Sequence, residues 1–351
     1  MLKKIILGIG LTLIILIAGV TVYAFSSVVE FTEEQENQIK LAIEKPITKQ
    51  TGEEGVAQNG NTRIWYDVQN PKDSIRGSII LIMGLSADAL AWPSYFMDGF
   101  RDAGYQVIRL DNRGVGMTDW DDFDPKNPYS LSDMSDDVLA VLNTLGIEKA
   151  HIAGVSMGGM IGQTLCIEHP ERALSLTSIM STPWVNDEEL PFLNYACFVG
   201  IATNTINYGL SDSEVDAVKM AMAVRTLLMG SEKYEFDIDR ITEVTLYNLR
   251  ERNGYNRQSG RQQSAAIEIS GSREEALKTL IVPTLVIHGK TDPLIPFEHG
   301  VKTANLIPNA QTLWIDGLGH VIPKVHSELI VPRMVGFMNS TSQNEQIIEA
   351  E

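Results

Sequence analysis

Ser156 lies in Gly154-Val155-Ser156-Met157-Gly158, an acid follows at Asp292, and a histidine follows at His320. Those residue types, in that chain order, suit acyl transfer through a serine. A serine hydroxyl is a poor nucleophile until a histidine takes its proton in the transition state. A carboxylate behind the histidine fixes its tautomer and stabilises the imidazolium. Ser156 is therefore the candidate nucleophile, His320 the base and Asp292 its orienting acid. Charge developing on the substrate carbonyl needs two amide donors. They are assigned to Met157, which opens the helix after the serine, and to Leu85, which follows Gly84. His326 is the competing histidine, while His151, His169, His288 and His299 read as structural. Asp187, after an earlier strand, and Asp316, close to His320, are the alternative acids.

Each candidate needs a strand end to stand on. An apolar run leads into Ser156 and a small-residue stretch follows, the pattern of a buried strand, a tight turn and a helix. Gly154 and Gly158 let that helix start close against the strand. Ser78 to Met83 forms a strand ending in Gly84-Leu85-Ser86. Pro283 to Gly289 forms one before Asp292, and Gln311 to Ile315 one before Gly317-Leu318-Gly319-His320. Ends of parallel strands collect at one edge, so distant residues can share a site. Strands are also expected at Ile64 to Val68, Tyr105 to Leu110 and Ala173 to Met180. Core helices are expected at Trp92 to Ala103, Ser130 to Leu145, Glu298 to Leu306 and Ser327 to Met338. Asp111 and Arg113 are expected to pin their loop by an ion pair and backbone hydrogen bonds.

From Asn186 to about Glu275 the strand pattern stops. Helical runs at Asp212 to Met229, Ile238 to Arg250 and Gln262 to Ile269 replace it. This reads as a helical cap inserted between core strands. Trp184, Leu190, Phe192, Phe198, Met220, Met222, Met229 and Tyr247 together argue for an apolar pocket or lid there.

The chain has 351 residues and a formal net charge of -17, with no Lys/Arg-rich tract. Nucleic-acid binding is disfavoured, because it needs concentrated positive charge. Cys166 and Cys197 form no disulfide framework, although the sequence leaves open a single bridge. Neither a metal-ligand cluster nor a dinucleotide fingerprint occurs, and the glycines around Ser156 lack the lysine of a phosphate-binding loop. No metal and no cofactor are expected.

Lys3 and Lys4 precede an apolar run from Ile5 to Ala24, long enough to span a bilayer. The expected order is a membrane anchor or signal over 1–24, a linker over 25–54, read as a short tether or a loosely docked helix, and a first core part over 55–185. A helical cap over 186–275, a second core part over 276–340 and a polar tail over 341–351 follow. Basic residues before the run place the rest of the chain outside the cytoplasm, at a bacterial cell envelope.

The assembled motifs resemble the α/β-hydrolase superfamily, in particular the lid-bearing serine esterases similar to aclacinomycin methylesterase. The likeness runs from about residue 55 to 338. It is carried by Leu81-Ile82-Met83-Gly84-Leu85, Asp111-Asn112-Arg113-Gly114-Val115-Gly116, Gly154 to Met160, His288 to Pro296 and Gly317 to His320. It implies a mostly parallel central sheet flanked by helices, with Ser156, Asp292 and His320 on triad positions. Met83 stands where a histidine is commonest in the superfamily, and Val321 where the subgroup commonly has an acid. The expected activity is hydrolysis of a small hydrophobic carboxylic ester through an acyl-enzyme. The alternatives are cofactor-free haloperoxidase or perhydrolase chemistry on the same triad, or a non-catalytic membrane-tethered binding protein.

Overall fold

The computed structural model describes residues 27–120 and 124–350. The expected segment over 1–24 lies outside the described residues. Among these, no helix is long and apolar enough to cross a membrane.

Strands β1 (Glu53–Asn59), β2 (Thr62–Gln69), β3 (Gly77–Ile82), β4 (Tyr105–Leu110), β5 (Ala150–Val155), β6 (Ala173–Ile179), β7 (Thr284–Gly289) and β8 (Gln311–Ile315) make one sheet. Its order is β1-β2-β4-β3-β5-β6-β7-β8. β2 runs antiparallel to β1 and β4, and the remaining pairs are parallel. Residues of β5 and β7 are buried throughout, as expected of parallel strands covered on both faces. Successive side chains divide between those faces. Ile80 and Ile82 join a core with α3 (Leu131–Thr144) and α4 (Met157–Glu168), through Val138, Leu142, Met160 and Leu165. Ile79 and Leu81 join the opposite core, with Phe96 and Phe100 of α2 (Ser94–Asp102) and Met334 of the last helix. Ser130 caps α3 in a reciprocal box with Asp133.

Between β6 and β7 the chain forms α5 (Tyr195–Asn204), a π turn (Thr205–Gly209), α6 (Glu214–Leu227), α7 (Ile238–Glu251), α8 (Ser259–Ser270) and short α9 (Glu274–Leu277). α10 (Phe297–Leu306) links β7 to β8, and α11 (Lys324–Ala350) closes the chain. Two stretches differ from the sequence expectation. The segment read as a linker holds α1 (Glu33–Ile43) and the start of β1. Ile39 of α1 is buried with Val218, Met222, Ile238 and Ile241 of α6 and α7, so α1 packs as part of the cap. The last helix runs on through the expected tail, where no glycine or proline stops it.

Candidate active site

β5 delivers Ser156 into a turn with φ 57° and ψ −122°, and α4 starts at the next residue. A non-glycine residue at positive φ is strained by about 1–3 kcal/mol and persists only where its surroundings hold it. Here they do. The Ser156 amide donates to the Ile179 carbonyl at 2.9 Å, and its own carbonyl accepts from Gly159 N at 2.9 Å and Ser181 Oγ at 2.8 Å. Glycine is required on both sides. A Cβ on Gly154 would overlap the Gly158 carbonyl, and one on Gly158 would overlap that of Ile82.

At the end of β3, a Cβ on Gly84 would stand 3.1 Å from Ser156 Cβ and 3.6 Å from its Oγ. The loop carrying Leu85 therefore abuts the serine. Ser86 holds this loop at φ 62°, its amide donating to Gln263 Oε1 of the cap at 2.7 Å. Met157 occupies the first position of α4, where a backbone amide has no carbonyl four residues back within the helix. These are the two amides assigned from the sequence to an oxyanion.

Asp292 follows β7 and His320 follows β8, and the structure joins them: Nδ1 of His320 lies 2.7 Å from Asp292 Oδ2. The other carboxylate oxygen accepts from the amides of Leu294 at 2.8 Å and Ile295 at 2.9 Å. Burial alone pushes the Asp292 carboxyl up. The charge and hydrogen bond of His320, with help from His288 and the Leu294 amide, outweigh that and hold it below the usual carboxylate range. A carboxylate can only accept, so His320 donates from Nδ1, and its Nε2 is free to act as a base.

The cap grips the histidine loop. His320 N donates to the Leu228 carbonyl at 2.7 Å, and Glu232 N donates to Gly317 O at 3.2 Å. Thr291 Oγ1 accepts from Ser231 N at 3.0 Å and donates to Leu318 O at 3.1 Å. A Cβ on Gly319 or Gly230 would drive these two segments apart. Sequence reasoning missed Leu228, Thr291 and Gln263. Gly230 was the one visible signal, and a glycine after a helix reads first as an ordinary helix stop.

The competing residues are engaged elsewhere. His326 Nε2 lies 3.0 Å from Glu232 Oε2. His151 meets Ser175 Oγ at 2.8 Å, and His299 bridges Thr182 Oγ1 and the Pro191 carbonyl, each at 2.8 Å. His288 donates from Nε2 to Ile295 O at 3.0 Å, and burial holds its pKa down despite Asp292. Asp187 pairs with Lys302, and exposed Asp316 with Lys290 at 2.9 Å. Asp111 and Arg113 are structural but not partners of one another. Asp111 pairs with Arg252 of the cap, and Arg113 with Asp137 at 2.6 Å. Met222, Met229 and Tyr247 are buried, whereas Phe192 and Phe198 face solvent. Cys166 and Cys197 are both free thiols. Among the described residues no group of His, Cys, Asp or Glu could hold a metal ion.

The profile of the alpha/beta hydrolase fold matches residues 77–199. Rhodomycin D methylesterase of Streptomyces peucetius is 27% identical over 290 residues, covering 77% of this chain and 93% of that enzyme. The meta-cleavage product hydrolase of Pseudomonas fluorescens superposes with a TM-score of 0.62 at 20% identity, over 83% of this chain and 98% of its own. A bacterial membrane phospholipase A superposes with a TM-score of 0.61 at 19% identity, over 97% of this chain and 99% of its own.

Proposed function

From a chain that has the α/β-hydrolase fold, is esterase-like and resembles the aclacinomycin methylesterase subgroup, we propose a serine hydrolase acting on a hydrophobic carboxylic ester. Ser156 attacks the ester carbonyl while Nε2 of His320 takes its proton. The amides of Leu85 and Met157 hold the oxyanion. Collapse expels the alcohol, which receives the proton from His320. Water activated by the same histidine then releases the acid and restores Ser156. Asp292 steadies the imidazolium without being protonated.

The observation that carries this reading is the Asp292–His320 contact at 2.7 Å, with Ser156 held at positive φ in the turn after β5. The methyl ester named in the relative's activity supports an ester as the substrate class. The apolar run over Ile5 to Ala24 supports an uncleaved anchor that places the catalytic body outside the cytoplasm. A serine-directed fluorophosphonate tests the chemistry. One equivalent should attach at Ser156, and labelling should vanish in Asp292→Asn and Ser156→Ala proteins that retain the wild-type circular dichroism. Labelling at another residue would overturn the assignment.

A further inference from the structure

The cap carries an exposed apolar stripe. Tyr195, Phe198, Ile206 and Leu210 are 69%, 38%, 69% and 54% exposed. They stand three, eight and four residues apart along α5, the π turn and its C-cap, close to whole turns between neighbours, so they share one face. Cys197, Gly200 and Asn204 recur on the opposite face and are buried. Phe192, 74% exposed, extends the stripe from the loop before α5.

Charge is absent from the whole stretch. No Asp, Glu, Lys or Arg occurs between Leu190 and Leu210, in a chain of net charge -17. A solvated surface helix of such a protein would carry charges on its outer face.

The same helix holds the first described residues of the chain. Asn204 Oδ1 accepts from Val29 N at 3.0 Å and its Nδ2 donates to Ser27 O at 2.8 Å. Tyr208 Oη donates to Val29 O at 2.8 Å, and its ring packs edge-on against Phe31 at 5.7 Å. Residues 27–31, which follow the apolar run in the sequence, are therefore held by the helix that carries the uncharged stripe.

We propose that this face, Phe192 with the outer stripe of α5 and the π turn, docks into the surface of a lipid bilayer. The inference rests on the reading of residues 1–24 as an anchor, which would hold the face at the lipid boundary. Aromatic and aliphatic side chains on an uncharged helical stripe suit shallow burial between headgroups and acyl chains. An acidic protein gains nothing from anionic headgroups, so docking is apolar and insensitive to salt. The active-site cap then faces the membrane, and a hydrophobic ester reaches it from the lipid phase.

The test uses the full chain in phosphatidylcholine vesicles with brominated acyl chains, which quench tryptophan at the acyl boundary. A Phe198→Trp protein reports on the face. An Ile281→Trp protein, altered just before β7 at the sheet edge away from the strand ends that carry the site, is the control. After subtraction of the wild-type signal, emission from Phe198→Trp should be quenched and that from Ile281→Trp should not, at both low and high salt. Unquenched Phe198→Trp emission overturns the proposal, whether the face is in water or, as a doubled mass in detergent would show, against a second copy. Extraction with alkaline carbonate reports separately on residues 1–24. Quenching in a carbonate-released protein supports the face and sinks the anchor, and a carbonate-resistant, unquenched protein does the reverse. A Phe198→Glu, Ile206→Glu protein should retain turnover of a soluble ester and lose roughly tenfold on a vesicle-embedded one.

Discussion

The backbone amide of His320 donates to the carbonyl of Leu228 at 2.7 Å, so the loop bearing the histidine is fastened to the cap as well as to the sheet. Thr291, beside the acid, reaches the same two segments through Ser231 N and Leu318 O. The loops of Asp292 and His320 are thus both set by one cap turn.

Replacing Thr291 with valine keeps the shape and removes both hydrogen bonds. Ser231 N loses its partner, while Leu318 O keeps the Thr291 amide at 3.3 Å, at a cost of about 1 kcal/mol. Denaturant unfolding should show that loss, and kcat should fall several-fold with little change in KM.

Asp292→Asn should leave the fold intact and lower kcat/KM by about 10⁴-fold, because the asparagine amide no longer enforces the required tautomer. The pH dependence has a definite sign. The folded pKa of Asp292 is depressed, so its contribution to stability is complete above the usual value, about 3.9, and is lost as pH falls through the lower folded value. The thermal unfolding midpoints of wild type and variant should therefore begin to approach one another below about pH 4 and coincide only below the folded value.

Arg252 stacks 4.4 Å over the Trp65 ring and pairs with fully buried Asp111. Burial pushes the Asp111 carboxyl up, and Arg252 opposes that. Arg252→Met strands the carboxylate and should cost about 3–5 kcal/mol in denaturant unfolding. An Asp111→Asn, Arg252→Met double variant should recover much of the loss.

Gln263 fixes the loop of Leu85 by accepting from Ser86 N and donating to Arg113 O at 2.9 Å. Gln263→Leu should lower kcat by roughly tenfold, less than loss of a whole oxyanion donor, while KM stays near wild type. Equal losses on ester turnover and on folding stability would show a merely structural role.

The sheet and the candidate triad were readable because their signals are local. Ser78 to Met83 and Thr284 to Ile287 are mostly apolar runs, with Gly84-Leu85 after the first and Asp292 after the second, while Ser156 follows β5 and His320 follows β8. β1 escaped because it lies at the edge of the sheet. Only Ala57 is buried in it, so no hydrophobic period marks it, although Asn59-Gly60 is a hairpin signal. α1 reads as polar because it offers the cap chiefly Ile39 and Ala42. The cap's hold on the histidine loop uses the Leu228 carbonyl and the Ser231 and Glu232 amides, which every residue type possesses. Asp111 and Arg113 are structural as expected, but their ion-pair partners, Arg252 and Asp137, lie far along the chain, where no local signal links them.

Everything proposed for this site turns on Ser156 being the nucleophile of an ester hydrolase. Steady-state hydrolysis of p-nitrophenyl esters of increasing acyl length, by the full chain in detergent beside its Ser156→Ala variant, tests it most directly. Turnover in the wild type, reduced at least about 10³-fold in the variant with the fold unchanged, is the predicted result. Undiminished turnover in Ser156→Ala, or a folded wild type inert towards every ester, would contradict it.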